Sequence, residues 1–484
     1  MKKRFLAVIT AIGIICSVFT ACSSSSKKTS LDISQSNLIS DAVITADENK
    51  SDISNLTDGE SSVWSAEKQS TALEIDFKEK RTFNTIIIKE PTDSVKNFSV
   101  YYWNGNDYEF LYRQDRIDEY RLCAVETTTS EKIRIVFDEF EEKISIEEIG
   151  IYMLDNYDNT DFKVTSYVTS EYNEQSGITE IQKRADEPGF ADRFKVLTDA
   201  IIIGTVKMNP DKTLECNCGL ENFKKDVALL KSFNPDMKVR CTIMTNLVPG
   251  DFNGTNKALV KFSKDLSEYK VNLAAFVQET GIDGVDYDWE YPQLPHEWHA
   301  YNKLLIESKD AIGDKDLSVA LWPYKIKLSK EARECIDNIN IMAYDQFDER
   351  GDHSSIYDAG LEAIGYFEDL GFDKEQLCLG IPFYGRTADK YAIWPLYDED
   401  YGKWDNYREN FTYTDEDGNE QTSTVYLNGY AMVRDKTALS LESGIGGIMI
   451  FHSLCDVSYK NEYSLHKAVK EILDTRTETN DTLI

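Results

Sequence analysis

The spacing of apolar and polar positions divides the 484-residue chain into stretches of distinct texture. Residues 5–19 form a mostly apolar stretch behind Lys2, Lys3 and Arg4, too short to cross a bilayer comfortably as a helix. Residues 23–40 are polar, rich in Ser and Lys and without periodicity, which predicts a flexible tether. Over residues 41–155 short alternating runs at 73–77, 85–88, 98–102, 132–137 and 149–152 predict the strands of an all-β sandwich, with Asn104-Gly105-Asn106 as a hairpin turn. Beyond Asp161 the texture changes to short apolar runs separated by amphipathic stretches. The runs at 162–168, 200–204, 238–243, 284–288, 317–321, 339–344, 377–381 and 447–451 give eight strands. Eight strands with helices between them predict an α/β fold, a closed (β/α)₈ TIM barrel over residues 161–475, followed by a polar tail, 476–484. Before the fourth strand Phe262, Leu266, Leu273, Phe276 and Val277 fall at helical spacing, and Gly281 supplies a C-cap.

Acidic residues outnumber basic ones, 85 to 53, for a net charge of −32. Such a surface repels polyanions and excludes nucleic acid as an unaided partner. Aromatic residues make up 12% of the chain, and aromatic walls beside carboxylates suit sugars. Of nine cysteines, Cys16 and Cys22 belong to the amino-terminal segment, and the remaining seven are an odd number that argues against a full disulfide framework. Cys216 and Cys218 have no second pair at zinc spacing, and the five histidines form no metal constellation, so no metal or cofactor is expected.

The strongest chemical signal is the run Asp283-Gly284-Val285-Asp286-Tyr287-Asp288-Trp289-Glu290-Tyr291-Pro292. On a strand Asp286, Asp288 and Glu290 share a face, with successive Cα atoms roughly 6.6 Å apart. Inside a barrel, three carboxyls brought together out of water cannot all ionise cheaply, so one retains a proton near neutral pH. Glu290 lies nearest the carboxyl end of its strand, where barrel chemistry sits, and is the candidate general acid.

This run resembles the DxxDxDxE signature of glycoside hydrolase family 18, in its chitinase branch. The resemblance implies hydrolysis of β-1,4 linkages of N-acetylglucosamine-containing glycans, chitin or chito-oligosaccharides, with retention. It also implies that the substrate's own 2-acetamido oxygen attacks the anomeric carbon. Glu290 then protonates the leaving oxygen, Asp288 orients the acetamide, Asp286 shares a proton with Asp288, and Asp283 is structural. "INIMAYD" resembles the family's sixth strand, which makes Tyr344 a donor to the acetamide carbonyl and places Met342 and Asp345 along the subsite. "LGIPFYGR" resembles the seventh strand, which adds Tyr384 and Arg386, and Tyr167 matches a tyrosine of the first. An endo-β-N-acetylglucosaminidase, a bacterial-wall glycan hydrolase and a non-catalytic sugar-capture protein stay open as alternatives.

Two departures bear on the pocket. Thr242-Ile243-Met244-Thr245-Asn246 stands where the family carries SxGG, and Phe451 stands where it carries a tryptophan floor, leaving less stacking area and no indole N–H. Residues 386–424, with Trp394, Tyr397, Tyr401 and Trp404, are short for the extra α+β domain of some chitinases, so a shallower cleft is expected. Trp298 and Trp322 are candidate platforms or core.

The order of runs from Leu56-Thr57-Asp58-Gly59 to "IEEIGIY" resembles a coagulation-factor 5/8 type C (discoidin-like) domain. That likeness implies a possible carbohydrate ligand at Trp64, Trp103 and Tyr108, with core packing as the alternative. Thr20-Ala21-Cys22 before Ser23 to Ser26 resembles the lipobox of bacterial lipoproteins. It implies a signal peptide over residues 1–22, lipid on Cys22 and a place on the extracellular face of the cell membrane. An ordinary signal peptide and an uncleaved anchor are the other readings.

Overall fold

The computed structural model describes residues 31, 33–155, 161–248, 252–348, 351–353, 357–390, 392–393, 401–415 and 417–476. Cys22 and the signal segment, most of the expected tether, Trp394, Tyr397 and residues 477–484 lie outside the described residues, while Arg476, expected to open the polar tail, is buried as the last residue of helix Leu465–Arg476.

The amino-terminal unit is β-rich. Its strands are β1 (Val43–Ala46), β2 (Trp64–Ala66), β3 (Thr71–Lys89), β4 (Val95–Trp103), β5 (Tyr108–Gln114), β6 (Tyr120–Phe140), β7 (Ile144–Ile146) and β8 (Glu148–Tyr152). One sheet runs β1-β3-β6-β4-β5 with β8 added on β3, and β2 pairs with β7. The runs expected as two strands, 73–77 and 85–88, are the two ends of β3. Register shifts between Asp76 and Arg81 and between Phe83 and Thr85 interrupt the alternation, which is why it reads as a break. Leu73, Ile75, Ile86, Ile88, Ile133 and Ile135 fill the unit's own core. Ile87, Leu122 and Ala124, on the opposite face, belong to the barrel's core instead. Packing also begins before residue 41: Leu38 N donates to Ile151 O at 2.8 Å, and Ile39 is buried. Trp64 is fully buried, its Nε1 donating to Glu48 O at 3.1 Å, so it is core and offers no sugar platform.

The second unit begins with β9 (Lys163–Thr169) and a short hairpin, β10 (Tyr172–Asn173) and β11 (Ile178–Thr179). There follow β12 (Asp199–Met208), its antiparallel appendage β13 (Leu214–Cys216), β14 (Lys238–Thr245), β15 (Gly284–Asp288), β16 (Asp316–Leu321), β17 (Asn338–Ile341) and β18 (Leu377–Pro382). Next come β19 (Gly385–Thr387), β20 (Ala392–Ile393), β21 (Tyr407–Thr414), β22 (Glu420–Tyr426) and finally β23 (Gly447–Phe451). The parallel series β12-β14-β15-β16-β17-β18-β23-β9 closes on itself because β9 also pairs with β12, making the eight-stranded barrel. Residues 386–424 supply most of a four-stranded antiparallel sheet, β20-β19-β22-β21. The helical face expected before β15 is split between two helices, Phe252–Phe262 and Ser267–Thr280, the second ended by Gly281 at φ +69°. The split falls where Asp265 Oδ1 accepts the Ser267 N–H at 3.0 Å, a bond that competes with continuing the helix.

Helix Tyr430–Glu442 departs from the usual amphipathic stripe of a barrel's outer helices: every residue from Tyr430 to Leu441 is buried. The far side of this helix is covered by the β-rich unit. Asp435, fully buried, accepts from Tyr112 Oη at 2.5 Å, from an Arg121 guanidinium nitrogen at 2.8 Å and from Ala124 N at 2.8 Å. Trp404, one of the aromatics of the 386–424 stretch, packs edge-on against Phe110 and Tyr112 at this seam.

Candidate active site

Strand register assembles the floor of the site. Thr242 on β14 pairs with Asp286 on β15, which pairs with Ser318 on β16, so the three side chains enter the barrel in one layer. Asp286 is fully buried. Its Oδ1 accepts from Ser318 Oγ at 2.6 Å and Asn340 Nδ2 at 3.4 Å, and its Oδ2 from Thr242 Oγ1 at 2.8 Å and Tyr167 Oη at 3.0 Å. Burial raises its pKa, while these donors and the Arg240 charge beneath it work the other way. Arg240 is itself buried, 3.1 Å from Asp199. Asp283, at the opposite end of β15, accepts from Val239 N at 2.9 Å and pairs with Lys231 at 2.8 Å.

Two residues nearer the mouth, Asp288 is half-buried and hydrogen-bonded to Glu290. Burial, the charges of Glu290 and Asp286 and that shared bond raise the Asp288 pKa well above the ordinary carboxylate value. Glu290 is pushed up to about 7, by burial first and by the Asp345 charge, against the lowering bonds from Tyr291 and Asp288. The two carboxyls titrate as a pair that keeps one proton near neutrality. Four neutral donors occupy the Asp286 oxygens, whereas Asp288 and Glu290 share a hydrogen bond.

Aromatic rings wall this pair. Phe451, at the end of β23, lies 5.4 Å from the Tyr167 ring and 6.0 Å from Tyr344, nearly parallel to the latter, and Tyr384 meets both Tyr344 and Phe451 edge-on. The Tyr344 ring fits because β18 carries Gly380 beneath it. A Cβ there would stand 2.9 Å from Tyr344 Cε1 and 2.2 Å from Ile341 O. Burial and the surrounding acids raise the Tyr344 pKa, so its hydroxyl stays a donor. Strand β17 ends at Ile341, earlier than expected, and Met342, buried, and Tyr344 follow in the chain as it leaves the barrel mouth. Asp345 adopts a left-handed backbone, φ +59°, held by a two-point bond with Arg386 whose Nε donates at 2.8 Å. Burial works against the charge on Asp345, but Arg386 outweighs it and holds the carboxyl below its ordinary value.

Sequence reasoning named Thr242 only within the stretch that replaces SxGG and assigned no part here to Ser318, Tyr291 or His353. Tyr291 donates to Glu290, and His353 lies fully buried with Nδ1 3.4 Å from Asp345 Oδ1. The first two are signalled only by register between neighbouring strands, which a single strand's pattern does not carry. Trp298 is core, packed on Tyr301, and Trp322 lies half-buried just past β16.

A family model, "Glycosyl hydrolases family 18", matches residues 163–456. The chain belongs to glycosyl hydrolases family 18. Within the family 18 barrel, Asp286, Asp288, Glu290, Tyr344, Asp345 and Arg386 converge on one mouth. Among curated relatives, a probable chitinase 2 of Drosophila melanogaster is 26% identical over 209 residues, 37% of this chain and 41% of that protein. Chitinase A1 of Niallia circulans is 28% identical over 204 residues, 33% and 28% of the two chains. The chain spans between 7% and 52% of the length of the curated relatives it matches. A family 18 chitinase from the chitin utilization locus of Flavobacterium johnsoniae aligns with TM-score 0.48 and 19% identity, over 65% of this chain and 94% of that one.

Proposed function

We propose that this family 18 chain is a chitinase-like glycosidase that hydrolyses the β-1,4 bond after N-acetylglucosamine, with Glu290 as general acid and the substrate's acetamide as nucleophile. The observation that carries the reading is the Asp288–Glu290 pair, two carboxyls that together hold one proton in the pH range where the enzyme would work. An acetamide N–H donated to Asp288 favours the ionised form of that carboxyl and leaves the shared proton on Glu290. Glu290 passes it to the glycosidic oxygen as the acetamide oxygen bonds to the anomeric carbon. The old C–O bond breaks, and an oxazolinium ring remains against the Asp288 carboxylate. Water then gives its proton to Glu290 and adds to the same carbon, which opens the ring and returns the original anomeric configuration. Tyr344 donates to the acetamide carbonyl, Tyr167 and Asp286 brace the floor, and Met342, Asp345, Tyr384, Arg386 and Phe451 line the subsite.

The β-rich unit is proposed to be discoidin-like, and the chain to be anchored by lipid on Cys22 at the outer face of a bacterial membrane, on the sequence resemblances alone. The test is a digest of chito-oligosaccharides, high-mannose glycopeptides and peptidoglycan, with product anomers followed by NMR. Release of β-anomeric products from chito-oligosaccharides is expected, with Glu290→Gln binding the sugar but losing at least 10²–10⁴-fold in turnover. Release from peptidoglycan or glycopeptides alone would redirect the substrate, and release from none of the three would overturn catalysis.

A further inference from the structure

We propose that Arg116, a residue of the β-rich unit, is a positioning residue for the barrel's acid site, holding the segment after β17 so that Asp345 stays beside Glu290. The inference rests on the proposed function for what Asp345 and Glu290 do, and on geometry for how Arg116 reaches them.

Arg116 follows β5 and is 6% exposed. Its Nη1 donates to Asp348 Oδ2 of the barrel at 2.6 Å, while within its own unit it pairs with Asp93 and stands 3.1 Å from Asp118. Asp118 in turn accepts the Tyr357 N–H at 3.3 Å. The β-rich unit therefore grips the segment after β17 at Asp348 and at Tyr357. Asp348 ties the turn it belongs to: its N–H donates to Asp352 O at 3.0 Å, and its Oδ1 accepts from Asp352 N at 2.9 Å. Gly351 closes that turn at φ +82°, where a Cβ would meet Ala388 O at 2.6 Å. The next residue but one, His353, stands against Asp345, with its ring 5.5 Å from Tyr384 and 5.8 Å from Phe347. Asp345 is thus fixed from two sides, by Arg386 of the barrel and by the turn that Arg116 holds.

Without the guanidinium, Asp348 loses its 2.6 Å bond to the β-rich unit, and Asp93, Asp118 and Asp348 lose the cation they share, which loosens the hold on the turn. Glu290 is faced by Asp288 and Tyr291 from its own segment and by Tyr344 and Asp345 from the neighbouring one. Retreat of Asp345 removes one of the charges that keep the proton on Glu290.

The experiment compares the full chain with Arg116→Ala, Arg116→Lys, Asp348→Asn and, as a control elsewhere in the seam, Lys403→Ala, which breaks an ion pair with Glu126 and a cation–π contact with Trp404. Each is measured for kcat and KM on chito-oligosaccharide, for its pH profile and for hydrogen exchange of peptides covering Met342 to Asp348. Arg116→Ala and Asp348→Asn are expected to lower kcat ~10–100-fold, with the basic limb of the profile moved to lower pH and exchange of the 342–348 peptides accelerated. Arg116→Lys should recover part of the loss, and Lys403→Ala should match the parent. Should Arg116→Ala not fold, Asp348→Asn decides. Unchanged kcat, limb and exchange in Asp348→Asn would overturn the proposal, as would equal effects from Lys403→Ala. If the parent itself cleaves none of the sugars, the exchange comparison still decides the positioning role, and the failure belongs to the substrate reading.

Discussion

Asp286, Asp288 and Glu290 are the same chemical group at three depths, and their surroundings give them different work. Asp286 meets four donors and is braced; Asp288 and Glu290 meet each other. In the proposed mechanism Glu290 arrives protonated, and its pKa is pushed up to about 7, so kcat/KM should fall as pH rises through about 7, a limb that Glu290→Gln should abolish together with activity. The same shift acts on stability. Between the ordinary glutamate value near 4.5 and about 7, the folded chain holds a proton that the unfolded chain releases, so the fold weakens as pH rises through that window. Glu290→Gln should therefore raise the melting temperature at pH 8, by the equivalent of about 1–3 kcal/mol, while leaving it nearly unchanged at pH 4. Calorimetry at the two pH values checks this. The acid run itself was legible because a period-two pattern of carboxyls stands out in any strand. Tyr291 and His353 were not, since one acts through its hydroxyl across the mouth and the other lies on a turn with no periodicity.

Strands show what a chain's own pattern can and cannot tell. Strands β15 and β23 coincide with the apolar runs that predicted them, because a barrel strand buried on both faces is bounded by residues that cannot be buried. The sixth strand ends three residues early, since the chain must leave the sheet to carry Tyr344 and Asp345 over the mouth. Long β3 was unreadable as one strand for a different reason: its bulges shift the alternation mid-way. Register is the property least visible in sequence, and it supplies the donors to Asp286. Ser318→Ala removes the 2.6 Å bond to Oδ1 and leaves that oxygen only the 3.4 Å contact with Asn340. A loss of about 1–3 kcal/mol is expected, measured by denaturant unfolding, with KM changed less than kcat because the serine does not line the subsite.

The two units of the molecule share one buried seam. Arg121 and Asp435, each with no exposed surface, are paired across it, and Arg476 near the end of the chain donates to Asn84 O at 2.9 Å and Thr85 Oγ1 at 2.7 Å. Breaking such a pair strands a charge away from water, so Arg121→Ala should destabilise by about 3–5 kcal/mol, and thermal unfolding of the parent should appear as one transition for both units. Two well-separated transitions would contradict that coupling. Helix Tyr430–Glu442 carries the wider consequence, since twelve successive positions from Tyr430 are shielded, charged ones among them. The amino-terminal unit cannot be traded between proteins as a detachable cassette: a recombinant barrel begun at Lys163 would bare Asp435 and Lys436 amid hydrocarbon, and should be recovered as an insoluble product unless both units are made together.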